Sequence, residues 1–293
     1  MSYKVFEFLK LDNKINLFDI GAAAIAEEPI YKSIMNIGAG LLYAFDGDKR
    51  QKDPIYRSFG NDIFFYNDLL YDGTDQILYI ATAPSGMTSL LKPKENTLKF
   101  FNNFTKIGKV ERTENVSTKR LDDIKGIPLI DFLKMDVQGS ELTILENGSK
   151  KLRDCLAIQL EISFVSLYEN QPSFGDIDRW MRLNGFIPHR FIDIKKWSIS
   201  PTIFNGNPNV PGNQLLEADI IYIKDPLNLF KISNRNLKVL ATLSHYCFQS
   251  FDLCVFYLIE LIRRKIIDEN SVSDYYKFLN TNVFQSNKTE QSM

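Results

Sequence analysis

The chain has 293 residues, 44% hydrophobic and 24% charged, which is globular composition with length for a full core in one large domain or two small ones. Lys and Arg number 35 against 36 Asp and Glu, and a net charge of -1 gives no sign of general polyanion binding, which leaves only a local basic patch open. The three cysteines, Cys155, Cys247 and Cys254, fit neither a paired zinc site nor a dense disulfide scaffold and read as reduced, buried thiols.

The N-terminal MSYKVFEFLKLDNK lacks the apolar core of a secretory signal. The most apolar late run, Phe251–Ile262, falls short of the ~20 residues that span a bilayer and contains Asp252 and Glu260. A cytoplasmic protein is the expectation.

In chain order, Asn16–Ile20 reads as a strand, followed by a helix around Tyr31–Asn36 and a second strand at Leu41–Phe45. Ile63–Tyr66 has the aromatic, β-branched character of a third strand. A further strand at Ile77–Ala81 is expected to pair with Asp68–Tyr71 across an Asp72-Gly73 turn. Ala83–Asn115 shows little periodicity and reads as an irregular flap over one sheet face. Ile130–Met135 is a strong buried strand. Glu141–Asn147 is helical and stops at Gly148. Ala157–Ile162 is the next strand, and Phe174–Asn184 a helix ending at Gly185. Phe186–Ile194 and Ala218–Ile223 are the last strands, separated by the Pro, Asn and Gly-rich loop Pro201–Asn213. Beyond Pro226 the texture is helical, with Leu237–Phe248 and Phe251–Ile267 the clearest segments and Gln285–Met293 a frayed end. Alternation of strand and helix from Leu17 to Phe186 argues for an α/β sheet with helices on both faces.

Two strand ends carry the chemistry. LFDIGA (Leu17–Ala22) and IDFLKMDVQGSE (Ile130–Glu141) are apolar runs that end in an acid and a glycine-containing turn. Parallel strands deliver ligand-binding groups to the sheet edge in this way. Gly21, with Asp19 and Ala22, marks a turn where a ligand can approach the backbone. GAAAIAEEP lacks the further glycines of a dinucleotide fingerprint, and Glu27-Glu28 would repel a pyrophosphate, which argues against NAD or FAD. A sulfonium compound without phosphates, S-adenosylmethionine, tolerates an acidic turn and is attracted by carboxylates.

Asp46, toward the end of LLYAFDGD, stands at the spacing of an acid that binds ribose hydroxyls, with Asp48 the competing choice. Asp68, after the third strand, joins the same cofactor-binding set. Asp136 stands at a strand end facing a bound ligand. Glu161 lies within AIQLEISF and needs a partner there, Lys134, Arg190, a substrate hydroxyl or a metal. His189 is a candidate general base, and His245 a weaker one in a helix. Met87-Thr88-Ser89, Asn213-Gln214 and Glu217 are candidates for the acceptor side. No His/Cys cluster supports zinc, and Asp136 with Glu161 does not by itself establish an Mg²⁺ site.

Taken together, FDIGA (Phe18–Ala22), FDGD (Phe45–Asp48), GMTSLLKP (Gly86–Pro93), TKRLDDI (Thr118–Ile124), DFLKMDVQGSEL (Asp131–Leu142), LEISFVSLYENQPSFGDID (Leu160–Asp178), GFIPHRF (Gly185–Phe191) and NQLLEADIIYIKD (Asn213–Asp225) resemble the FkbM-type methyltransferases, a branch of the class I S-adenosylmethionine-dependent enzymes. The resemblance covers roughly the first three quarters of the chain. It implies a Rossmann-like seven-stranded sheet whose last strand is antiparallel, with S-adenosylmethionine as cofactor. It also implies methyl transfer to a hydroxyl of a sugar, polysaccharide unit or small secondary metabolite. The expected proton acceptors are Asp136, favoured by position, Glu161 and His189.

The chain departs from the family pattern at Asp46-Gly47, where Glu-Pro is usual, and at Ala23-Ala24-Ile25-Ala26, where Asn and a further Gly are frequent. The alternative reading is a catalytically degenerate member that assembles with glycan-synthesis proteins. The expected organisation is a methyltransferase domain over 1–225, with 83–117 its irregular flap. A helical C-terminal extension over 226–293 packs on that domain or forms a homodimer interface. The expected partner is a small-molecule or glycan acceptor, with no nucleic acid and no transmembrane segment.

Overall fold

The computed structural model describes residues 9–22, 28–82 and 85–282. The expected frayed end, the N-terminal octapeptide and the Ala23–Glu27 stretch lie outside the described residues. In chain order the elements are β1 (Ile15–Ile20), α1 (Lys32–Asn36), β2 (Gly40–Phe45), α2 (Lys52–Phe59), β3 (Ile63–Tyr66), β4 (Asp75–Ala81), α3 (Glu95–Phe100), α4 (Phe104–Ile107), β5 (Val110–Ser117) and β6 (Phe132–Met135). They continue with α5 (Glu141–Glu146), α6 (Ser149–Leu152), β7 (Ala157–Ser163), α7 (Phe174–Leu183), β8 (Phe186–Trp197), β9 (Gln214–Lys224), α8 (Asn234–Tyr246), α9 (Phe251–Arg263) and α10 (Ser271–Asn282).

Seven strands form one sheet in the order β3-β2-β1-β6-β7-β9-β8. All pairings are parallel from β3 to β7, and β9 runs antiparallel to both neighbours. The apolar strand runs follow from this: a parallel strand is covered on both faces and has no solvent side to mark with alternation. An aromatic row pins the register of the first three strands. Phe18 stacks on Tyr43 at 4.7 Å and Tyr43 on Phe64 at 5.0 Å, each being the other's partner in the ladder.

Each sheet face has its own core. One joins Phe18, Ile20, Leu133, Met135, Leu160 and Tyr222 to α5 and α7. The opposite core joins Leu17, Leu42, Phe132, Ala157 and Ile223 to Leu240, Leu243, Leu258 and Leu261 of α8 and α9, and to Tyr275 of α10. The C-terminal helices therefore cover a face of the central sheet. Arg235 at the start of α8 ties them to it: its Nη2 reaches Oδ2 of the buried Asp131 at 2.6 Å, and Nη1 pairs with Oδ1. Of the aromatic residues in this segment, Phe248, Tyr257 and Tyr275 are buried, whereas Phe230, Phe256 and Tyr276 are exposed. Among the described residues no helix is long and apolar enough to cross a membrane.

The expected hairpin of Ile77–Ala81 with Asp68–Tyr71 is corrected. β4 pairs antiparallel with β5, Asp75 opposite Ser117, in a separate two-stranded sheet. The Asp72 carboxylate accepts from the Thr74 amide at 2.9 Å and turns the chain, but Leu70 bridges to Lys119. The irregular stretch Ala83–Asn115 is likewise corrected, since it contains α3, α4 and part of β5. A third, smaller core under this excursion joins Met87, Leu98, Phe101 and Phe104 to Tyr168 and Leu216.

Candidate functional site at the carboxyl edge

The face covered by the C-terminal helices changes character along every central strand. Side chains alternate across a sheet, so those sharing the face of Leu17 in β1 and Leu42 and Ala44 in β2 continue as Asp19 and Asp46. On β6 the row runs Phe132, Lys134, Asp136, and on β7 Ala157, Gln159, Glu161, Ser163. On the reversed β9 it runs Glu217, Asp219, Ile221, Ile223, with Glu161 opposite Asp219 and Ser163 opposite Glu217. The amino half of this face is apolar and roofed by helices; the carboxyl half is a row of acids, amides and lysines.

Asp19 is only 4% exposed. Its Oδ2 accepts from the Tyr31 hydroxyl at 2.5 Å and its Oδ1 faces Lys134 Nζ at 3.4 Å. Burial pushes its carboxyl above the usual carboxylate range, against the pull of Lys134 and Tyr31. Gly21 has φ +77°, and its amide donates to the Phe45 carbonyl at 3.0 Å. The buried Ala22 donates to the same carbonyl at 3.1 Å. The turn after β1 is thus fastened to the end of β2, where Asp46 emerges.

Asp46 takes the Asp48 amide on Oδ1 at 2.6 Å, and burial raises its carboxyl to about 6. Asp48 is committed elsewhere: Oδ1 accepts from the Arg50 backbone amide at 2.9 Å and from the Arg50 guanidinium at 2.8 Å. Of the two candidates for ribose recognition, Asp46 is the one that shares the face of Asp19. Asp68 sits beyond β3, one strand further out, and is paired with Lys119 at 2.6 Å.

Asp136 and Glu161 are brought together. The Gln138 side-chain nitrogen donates to Asp136 Oδ1 at 3.0 Å and to Glu161 Oε2 at 3.1 Å. Glu161, 9% exposed, faces Lys195 Nζ at 3.4 Å, and the same lysine pairs with Glu217 at 2.9 Å. Burial, then the neighbouring Glu217 and Asp136, hold the Glu161 carboxyl well above its ordinary value. Lys195 is the partner this buried acid requires. Lys134 serves Asp19 instead, and Arg190 donates to the Phe248 carbonyl at 2.6 Å.

His189 is not part of this group. It stands at a bulge near the amino end of β8, two strands from Glu161, with its ring 6.1 Å from that of Phe248 and its Nε2 buried without a hydrogen-bond partner among the described residues. Burial lowers its pKa, opposed by Asp252. His245 is buried in α8 with Nδ1 2.9 Å from the Tyr275 hydroxyl, and burial lowers it to about 4.

Several site residues escape sequence reasoning. Glu141 is buried and folds back to accept from the Val137 and Gly139 amides at 3.2 and 3.3 Å, which shapes the turn after β6; burial raises it to about 7. An acid two residues past a glycine turn is the local signal for such a cap. Lys195, Asp219 and Gln138 have no local signal, because strand register alone brings them in. Of the acceptor-side candidates, Ser89 reaches the turn directly, donating to the Gln138 carbonyl at 2.7 Å, and Glu217 is paired with Lys195. Asn213 and Gln214 line a separate cleft of about 380 Å³ with Ile199 and Phe204 at the tip of β8 and β9.

The solved structures similar to this chain include magnesium protoporphyrin IX methyltransferase from Synechocystis PCC 6803 with bound S-adenosylmethionine, at 12% identity over 75% of this chain and 76% of that one, TM-score 0.37. A putative S-adenosylmethionine-dependent methyltransferase from Listeria monocytogenes aligns at 8% identity over 76% of this chain and 95% of that one, TM-score 0.38. The Methanococcus jannaschii fibrillarin pre-rRNA processing protein aligns at 13% identity over 74% and 69%, TM-score 0.33. No curated protein matches the sequence. The family model of the methyltransferase FkbM domain matches residues 19–188, more than half of the chain, from the acid of β1 to the start of β8. The protein belongs to the FkbM methyltransferase family.

Proposed function

We propose that the protein transfers a methyl group from S-adenosylmethionine to a hydroxyl on a sugar, polysaccharide unit or small secondary metabolite. The observation that carries this reading is the row Asp19, Asp46, Asp136 and Glu161 on one face at the carboxyl edge. The donor set fits that cofactor. Asp46, with Oδ1 already held by the Asp48 amide, offers Oδ2 to ribose hydroxyls. Asp19 supplies negative charge at the turn after β1, and Lys134 offers a cation to a carboxylate. Asp68 belongs to the rim of this set.

S-adenosylmethionine, when bound, supplies a methyl group on a sulfonium that needs no further activation. What remains for the protein is alignment and proton removal. The acceptor hydroxyl gives its proton to a carboxylate of the Asp136–Glu161 pair. Glu161 suits that role because burial and its acidic neighbours raise its proton affinity, while the Lys195 ammonium favours its ionised form. Lys195 and Gln138 remain to stabilise the pair whichever member holds the proton. His189, turned toward Phe248, takes no part in this step.

Calorimetry with S-adenosylmethionine, S-adenosylhomocysteine and NAD tests the cofactor. The first two are expected to bind and the third to give no heat. Incubation with a labelled methyl donor and glycan or metabolite extracts, read by mass spectrometry, tests the acceptor class. Absence of binding to both sulfur compounds overturns the reading.

A further inference from the structure

Between Asp136 and Glu161 stands one neutral side chain whose every polar atom is in use. The two N–H groups of the Gln138 amide point at two carboxylates, at 3.0 and 3.1 Å, and its oxygen accepts from the Tyr168 hydroxyl at 2.9 Å. With its nitrogen facing the two acids, the amide leaves its oxygen to accept from Tyr168, whose hydroxyl also lies 3.4 Å from the Met87 carbonyl. Gln138 has φ +53°, a left-handed backbone that a long side chain seldom adopts. The turn is held in that shape from both sides: Ser89 donates to the Gln138 carbonyl at 2.7 Å, and Glu141 accepts from the amides on either side of Gln138. Tyr168 is itself 1% exposed and packs with Met87 in the core of the excursion between β4 and β5.

We propose that Gln138 is a positioning residue that clamps Asp136 and Glu161 at one separation, with Tyr168 fixing which way round the clamp sits. Its catalytic consequence rests on the methyl transfer proposed above: the clamp sets which carboxylate of the pair is ionised and free to take the acceptor proton. Donation of an N–H to Glu161 favours its ionised form, against the acids that surround it. The charged and titratable groups facing Glu161 are Glu217 and its ladder partner Asp219 from β9, Asp136 from the end of β6, Glu141 from α5 and Lys195 from β8, with Tyr168 behind the amide. Replacing the amide therefore shifts a balance among named groups. The segment carrying Met87 and Ser89 bears on the same turn, through the Ser89 bond to the Gln138 carbonyl and the packing of Met87 with Tyr168.

The test is a ¹³C NMR titration of glutamate carboxyls on the protein without donor or acceptor, with Glu161→Gln to assign the Glu161 resonance. Gln138→Met keeps the length and removes both N–H donors; its Glu161 is expected to bind its proton about tenfold more tightly. Gln138→Glu, isosteric with the native side chain, adds a carboxyl to the pair and moves the midpoint further in the same direction. Tyr168→Phe leaves both carboxylate contacts but frees the amide to swivel, and gives a smaller rise. It also reads the clamp where a Gln138 variant fails to fold. An unmoved Glu161 midpoint in the folded variants overturns the proposal. A moved midpoint in a protein that methylates nothing leaves the clamp standing and overturns the transfer reading instead.

Discussion

A Cβ on Gly21 would fall 2.1 Å from the carbonyl oxygen of Asp136. The turn after β1 and the end of β6 therefore touch through bare backbone. The Asp136 amide donates to the Ile20 carbonyl at 3.1 Å, and Gly21 donates in turn to Phe45, so three strand ends converge at one point. That convergence is what brings Asp19, Asp46 and Asp136 to a common edge.

Gly21→Ala is consequently expected to be severe. The obstacle is a backbone carbonyl, which cannot swing away as a side chain could, and φ +77° adds a left-handed cost for any residue with a Cβ. A loss of about 3 kcal/mol or more is expected by urea unfolding. A wild-type urea midpoint would show that the turn is not constrained in this way.

Asp46→Asn is expected to divide stability from binding. The folded carboxyl titrates at about 6, above its ordinary value of 3.8, so between these values the folded chain holds the proton that the unfolded chain has released. Stability falls as pH rises through that window and stays lowered above it. The asparagine variant, which has no charge to desolvate, should melt above the parent at pH 7, and that gain should vanish near pH 4. Affinity for S-adenosylmethionine should meanwhile drop about 10- to 100-fold at pH 7, as the loss of charged hydrogen bonds to the ribose requires. Equal affinity by calorimetry removes Asp46 from ribose recognition.

Lys134→Met leaves the buried Asp19 carboxylate with the Tyr31 hydroxyl as its remaining partner. Breaking a buried pair in this way costs about 3–5 kcal/mol at neutral pH. The Asp19 carboxyl is already raised by burial, and losing its cation raises it further, so the variant takes up a proton on folding. Its deficit should therefore shrink as pH falls from 7.5 to 5 in urea titrations. A deficit that stays constant over that range would mean Asp19 is neutral in the parent as well.

Strands β1, β2, β6 and β7 are legible because parallel strands covered on both faces must be apolar runs, and their terminal acids stand out against them. β5 is not legible: VERTENVS is almost wholly exposed, so no apolar pattern marks it. Glu161 is recognisable as an acid that needs a partner, but the partner lies 34 residues away on β8. Its approach depends on the β8–β9 register, which bulges shift three times. His189 illustrates the converse. A histidine near a strand start is chemically suggestive in sequence, yet the strand carries it to the amino half of the sheet, under the helices. The C-terminal helices are legible as helices, whereas the surface they cover is not.

That covered surface makes the last residues inseparable from the first. Leu240, Leu243, Leu258 and Leu261 pack against Leu17, Leu42 and Phe132, and among the described residues Arg235 is the one cation paired with Asp131, which is 2% exposed and otherwise takes the Asn16 amide at 2.9 Å. Arg235→Met should cost about 3–5 kcal/mol, since it strands a buried carboxylate. Ending the chain after Asp225 should go further and abolish cooperative unfolding, because the whole apolar half of one sheet face would meet water at about 25 cal/mol per Å². Were 226–293 an appendage, residues 1–225 would instead remain soluble, melt in one transition and bind S-adenosylmethionine as the full chain does. Circular dichroism melts and calorimetry on the shortened chain separate the two outcomes. An intact transition there would assign the C-terminal helices to assembly rather than to the fold.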